Sequence, residues 1–132
     1  MNAVVDTDVV SYIFKRDTRA AFYKARLHGF SAALSFMSVA ELDSWALRWR
    51  WGQATVARLD QFVRTFTLIP PDRDLCRLWA EVTDACRKAG RPIQAADAWI
   101  AATALQLNAP LLTRNRSHFA AVPGLSIISA AP

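Results

Sequence analysis

The sequence has little of what most catalytic and membrane classes require. No apolar run approaches the roughly 20 residues of a membrane-spanning helix. The opening stretch holds Asp6 and Asp8 where a signal peptide would be basic and then apolar, so the chain is expected in the cytoplasm, with no membrane partner. There is no Cys-x-x-Cys, and His28 and His118 are not spaced as a zinc pair. Cys76 and Cys86 fall on one predicted helix, where a rise of about 1.5 Å per residue separates them by roughly 15 Å, beyond the ~7 Å a disulfide can bridge. They are read as reduced core residues. The glycines, at positions 29, 52, 90 and 124, are too scattered for a phosphate loop, which argues against nucleoside triphosphate chemistry. Motifs for a serine or cysteine nucleophile are also missing.

Acidic residues are scarce as well, 11 against 16 lysines and arginines, which gives a net charge of +5 and a pI near 9.9. That balance suits a polyanionic partner. The cations gather in two places: Arg48, Arg50, Arg58 and Arg64 in the first half, then Arg87, Lys88, Arg91, Arg114 and Arg116. With 132 residues and no repeat, low-complexity tract or linker, residues 1–132 are expected to form one domain with a core that needs no metal or disulfide staple.

Short apolar runs alternate with helical patterns along the chain. Strands are predicted over residues 2–6, 31–36, 67–69, 111–113 and 125–128. Between them lie helices over 8–15, one capped by Thr18 and running to Leu27, one starting at Ser38, one over 55–66, one capped by Asp72 that stops at Gly90, and an alanine-rich one over 95–108. Residues 115–123 are a loop or short helix. The alternation predicts an α/β fold, a three-layer α/β/α sandwich around a mostly parallel sheet with the first strand central. Residues 38–66 would project as a helical pair. Its tryptophans, Trp45, Trp49 and Trp51, fit either a partner surface or the chain's own core.

Asp6, Glu41, Asp97 and Asn115 each stand where an apolar stretch gives way to a turn or helix start. Taken singly, each has a local explanation. Asp6 suits a helix cap, Glu41 completes a Ser38-x-x-Glu41 capping box, Asp97 suits the positive end of a helix dipole, and Asn115 suits an Asx-turn. Capping does not require the four to meet, whereas a parallel sheet brings strand carboxyl ends to one edge, where open α/β folds bind ligands. Convergent carboxylates beside a basic surface suit a hard divalent cation and phosphodiester chemistry. His118 is read as a solvent-facing loop residue near that site.

Val4-Val5-Asp6-Thr7-Asp8, Ser38-Val39-Ala40-Glu41-Leu42, Ala96-Asp97-Ala98-Trp99-Ile100-Ala101-Ala102 and Leu112-Thr113-Arg114-Asn115-Arg116-Ser117-His118-Phe119 occur in an order that resembles the PIN domain, in particular the VapC-like toxins of bacterial toxin-antitoxin pairs. The resemblance spans nearly the whole chain. It implies a Mg2+- or Mn2+-dependent endoribonuclease that hydrolyses RNA with a metal-activated water, a homodimer, and a cognate antitoxin through which operator DNA is reached. It also implies that Asp6 and Asp97 are the principal metal ligands and that Glu41 completes the acidic cluster. Thr7 or Asp8 would support them, and Thr113 would orient a phosphate or water. The family's fourth acidic position falls on a segment that reads Asn115-Arg116-Ser117-His118 here, with no carboxylate. That departure leaves the number of ions, one or two, open. It also keeps open a second reading, a catalytically weak binding subunit acting with a DNA-binding antitoxin, and a third, a nuclease for RNA maturation without an antitoxin.

Overall fold

The computed structural model describes residues 1–130. Five strands, β1 (Asn2–Val5), β2 (Ser31–Ser35), β3 (Thr67–Ile69), β4 (Leu111–Leu112) and β5 (Ile127–Ile128), form one sheet in the order β3-β2-β1-β4-β5. Every pairing is parallel, so the sheet is wholly rather than mostly parallel, and β1 is central as expected. Seven helices connect the strands: α1 (Thr7–Phe14), α2 (Ala20–Leu27), α3 (Phe36–Arg48), α4 (Gln53–Val63), α5 (Arg73–Lys88), α6 (Ala95–Gln106) and α7 (Arg116–Phe119).

The pleat sorts the strand residues between two cores. Ala3, Val5, Leu34 and Leu112 face α1 to α4, joined by Val9, Val10, Leu42 and Leu59. Val4, Ala33 and Leu111 face α5 to α7, with Ala98, Ala101, Val82 and Phe119. Both faces of the sheet are therefore covered, which is why its strands read as continuous apolar runs. Small residues along α6 let that helix lie close against β1 and β2, and α5 packs along its outer side.

Several local expectations need correction. Thr18 does not cap α2; Asp17 holds the turn, its Oδ1 accepting from the Arg19 N–H at 2.9 Å. Ser38 does not cap α3 either. The helix starts at Phe36 with Ser35 as its cap, Oγ accepting from the Met37 N–H at 3.1 Å, because β2 passes into α3 without a loop. Cys76, read as core, is exposed, while Cys86 is buried and both thiols are free. Trp45 and Trp51 pack against the first core, with Trp51 stacked on Phe14, and Trp49 stays half exposed beneath Lys15. The helical pair is thus anchored by its own aromatics.

Asp72 does cap α5, its Oδ1 accepting from the Leu75 N–H at 2.7 Å. Replacing it with alanine is expected to lower stability by about 1 kcal/mol, and Asp72→Asn to restore most of the loss. A denaturant midpoint unchanged in Asp72→Ala would show that the cap contributes nothing.

Candidate active site

The strand order turns back at β1: the chain goes to one side of it through β2 and β3, and to the other through β4 and β5. The crevice between the carboxyl ends of β1 and β4 is therefore the switch point at which such sheets hold their ligands. Asp6 follows β1 and Thr113 follows β4. The Thr113 hydroxyl donates to Asp6 Oδ2 at 2.6 Å across that crevice, and the Thr7 N–H donates to Asp6 Oδ1 at 2.8 Å. Asp6 is 5% exposed. It caps α1 as well as lining the crevice, so the local explanation of this residue does not exclude the convergent one.

Glu41 enters from α3. Thr7 Oγ1 lies 2.7 Å from Glu41 Oε1 and 2.8 Å from Ser38 Oγ. A hydroxyl has one proton; given to the carboxylate, it leaves the buried Ser38 hydroxyl to donate in return. Ser38 and Glu41 are therefore not a capping box but two members of a chain that ties α3 to the start of α1. Asp97 enters from the first turn of α6, and its Oδ2 stands 3.4 Å from His118 Nδ1. Asn115 heads α7 without capping it by its side chain. Its Nδ2 donates to Asp8 Oδ2 at 2.8 Å, and its backbone N–H donates to Thr113 Oγ1 at 2.9 Å, an ST-turn in place of the expected Asx-turn.

Charge links these groups. Burial raises the Asp6 pKa from its ordinary value of 3.8 to about 7 against the two hydrogen bonds it receives, and the negative charges of Asp97 and Asp8 add to the rise. Glu41 is raised for the same reasons, by burial and then by Asp97 and Asp8, with Thr7 opposing. Asp97 is raised by burial and by Asp8, with His118 opposing. Four carboxylates thus feel one another at one sheet edge. Among the described residues, none of Asp6, Glu41 and Asp97 has a lysine or arginine at ion-pair distance, although Asp17, Asp60, Asp74 and Asp84 all have one.

As they stand, no three His, Cys, Asp or Glu side chains among the described residues are drawn tightly enough together to hold an ion. Like charges repel, and each carboxylate has taken a local donor: Asp6 has Thr7 and Thr113, Glu41 has Thr7, and Asp97 has His118. The donor set still fits a hard divalent cation, being all oxygen, partly desolvated and lacking a neutralising cation. Glu41 and Asp97 are partly exposed, whereas Asp6 is buried and held from two sides.

Two residues stand differently from their sequence reading. Thr113 is fully buried, with its hydroxyl proton on Asp6 and a lone pair taken by the Asn115 N–H, so it positions Asp6 rather than orienting a phosphate or water. His118, read as a loop histidine, reaches Asp97. It is exposed, as predicted, but its contact depends on the packing of α7 against α6, which no short-range pattern reports. The spacing of His118 after Thr113-Arg114 was the signal available.

The same elements recur in known proteins. Ribonuclease VapC1 of Haemophilus influenzae (strain R2866) is 27% identical over 124 residues, 92% of each chain. The structure of VapBC-1 from nontypeable Haemophilus influenzae superimposes with a TM-score of 0.82 at 26% identity, covering 98% of both chains. VapBC2 from Rickettsia felis, solved bound to a DNA fragment from its promoter, gives 0.86 at 21% identity with the same coverage. The PIN domain family model matches residues 3–125, which takes in β1 with Asp6, α3 with Glu41, the first turn of α6 with Asp97, and the turn after β4. With that match covering most of its length and all of its switch-point carboxylates, the chain belongs to the PIN domain family.

Proposed function

We propose that this chain is a Mg2+- or Mn2+-dependent endoribonuclease, the toxin of a toxin-antitoxin pair, and that Asp6, Glu41 and Asp97 are its metal ligands. The observation that carries the reading is the convergence of Asp6, Glu41 and Asp97, with Asp8 beside them, at the β1/β4 switch point, none of the three having a lysine or arginine at ion-pair distance among the described residues. Ribonuclease is the activity named for its Haemophilus relatives, and it accords with the basic surface. Asp6 is the buried ligand, held by Thr7 and Thr113, and Glu41 and Asp97 are the partly exposed ones. The divalent ion supplies, when bound, a lowered pKa for attacking water and neutralisation of charge on the phosphoryl group. Asn115 holds Asp8 by hydrogen bond rather than adding a further carboxylate, which suits a site for one ion. An antitoxin partner, with operator DNA reached through it, accords with the VapBC complexes this fold resembles, one of them bound to a promoter fragment, and a homodimer is part of the same proposal. No helix among the described residues is long and apolar enough to cross a membrane, and a cytoplasmic site of action belongs with the same reading.

The test is cleavage of total and transfer RNA by the purified, antitoxin-free protein with Mn2+ or Mg2+, beside Asp97→Asn and an EDTA control. Discrete fragments are expected only from the wild type with metal. A folded wild type that cleaves nothing under either metal would overturn the nuclease and leave the second reading, a PIN-fold binding subunit of weak catalysis. Asn115 is the observation that favours that alternative, since the acid expected at its position is absent and its Nδ2 donates to Asp8.

A further inference from the structure

Beside Asp97 lies an open cavity of about 300 Å³, walled by Arg91, Gln94, Asp97, Ser117 and His118. Three features set it apart from the rest of the basic surface. Arg91 is placed by backbone, not by chance. Gly90, at φ 73°, turns the chain out of α5, the Gly90 N–H donates to the Arg87 carbonyl at 3.0 Å, and the Arg91 N–H donates to the Cys86 carbonyl at 2.9 Å. Pro92 then stiffens the next step. The Arg91 guanidinium has one weak bond, Nη2 to the Ser117 carbonyl at 3.4 Å, and no carboxylate partner among the described residues, whereas Arg77, Arg87 and Lys88 on the preceding helix are each paired with an aspartate. Most of its five donors are therefore unspent.

The third feature is Gln94. It occupies the N-cap of α6, where Ser, Thr, Asp or Asn would bond the helix, yet its side chain makes no capping bond. Its amide offers a donor and an acceptor to the cavity instead. A volume near 300 Å³ is at the small end for ligand pockets, the size of a single nucleotide rather than a folded segment. The cavity shares Asp97 with the carboxylate cluster, so an occupant covalently continuous with a phosphodiester held there lies within its reach.

We infer that this cavity is the subsite for the nucleotide adjoining the scissile phosphodiester, with Arg91 holding that nucleotide's phosphate and Gln94 reading its base edge. Arg91 acts as a fork toward phosphate oxygens, a role a lysine fills only as a point charge. Gln94 supplies sequence preference at one position, as amides do when they meet the edge of an unstacked base. The inference rests on the nuclease reading for its substrate and is separable from it by experiment.

The test uses a labelled single-stranded RNA oligonucleotide of mixed sequence and the full chain, with binding followed in Ca2+ and cleavage in Mn2+. In Arg91→Ala, RNA affinity and KM are expected to weaken about tenfold for all sequences, and the slope of log affinity against log salt to shrink by about one. Saturation by Mn2+ alone should be unchanged. Gln94→Ala is expected to leave the salt slope intact and to flatten the base preference next to the cut. Both side chains are exposed, so both variants should fold. RNA binding by Arg91→Ala with wild-type affinity and slope would overturn the subsite while leaving the nuclease standing. Wild type that binds RNA with the Arg91 dependence but cuts nothing would overturn the nuclease and keep the subsite. Failure of the wild type to bind RNA at all would remove both.

Discussion

With Asp6 replaced by asparagine, metal-dependent cleavage is lost and the metal-free protein becomes more stable above pH 7. The two effects share one cause. Asp6 is buried at the centre of the sheet edge with no cation beside it, and its pKa stands near 7 against an ordinary value of 3.8. Between those values the native state binds more protons than the unfolded state, so stability falls as pH rises through the window and stays low above it. A difference of about three pKa units corresponds to an upper bound of roughly 4 kcal/mol, lost by pH 8 and recovered by pH 4. Glu41 and Asp97 shift the same way and add to the slope.

Asparagine keeps the shape and the capping bond from the Thr7 N–H, and removes the charge. The melting temperature of the metal-free variant is therefore expected to be nearly flat over the range in which the wild type declines, and the two to converge at low pH. Cleavage by the variant is expected to fall further than the roughly 10- to 100-fold that loss of a ligand's outer hydrogen-bond partner costs. Retained cleavage in Asp6→Asn would remove Asp6 from the ligand set. A wild-type melting temperature that climbs from pH 4 to 7 without metal would show that the buried charge is compensated by some other group. The binding free energy of a divalent ion offsets the repulsion in the working protein, so Mn2+ should raise the wild-type melting temperature and leave that of the variant nearly unmoved.

Much of this site was legible in the sequence because Asp6, Asp97 and Asn115 lie at element boundaries, whereas Glu41 stands in the second turn of α3, past the helix start at which the sequence pattern put it. A β-branched run ending in Asp6-Thr7-Asp8 marks both a buried strand and the start of a helix, and the parallel order follows from the alternation of elements. What the sequence misplaced were choices between neighbours of equal propensity. Ser35 and Ser38 both suit a cap, and only the absence of a loop after β2 selects Ser35, which frees Ser38 to bond Thr7. Cys76 follows Leu75 by one residue on a helix whose inward positions are Leu75, Val82 and Cys86, so helical spacing already turns it outward once the register is fixed. His118 and Thr113 were harder still. Their roles depend on contacts with Asp97 and Asp6, far away in the chain, and only packing brings them within bonding distance.

Replacing Thr113 with valine is expected to move the site's pH dependence without changing any ligand. Valine matches threonine in shape, and Thr113 is fully buried, so packing is preserved. Two hydrogen bonds are lost: the donation to Asp6 Oδ2 and the acceptance from the Asn115 N–H. Each group left without a partner costs about 1–3 kcal/mol, so the variant should be less stable at every pH at which Asp6 is ionised. The bond from Thr113 is the largest influence holding the Asp6 pKa down against burial, so its removal raises that pKa further above about 7. A smaller fraction of the protein then carries the charged ligand at neutral pH. Half-saturation by Mn2+ at pH 7 is expected to need roughly 10- to 100-fold more metal, the range typical of a lost outer hydrogen bond. The deficit should narrow as pH is raised toward 9, because proton and metal compete for the same carboxylate. Thr113→Ser, which restores the hydroxyl, should restore the profile. A deficit of constant size across pH would mean that Thr113 supports only the local packing of β4, and equal affinity at pH 7 would mean that Asp6 does not depend on it.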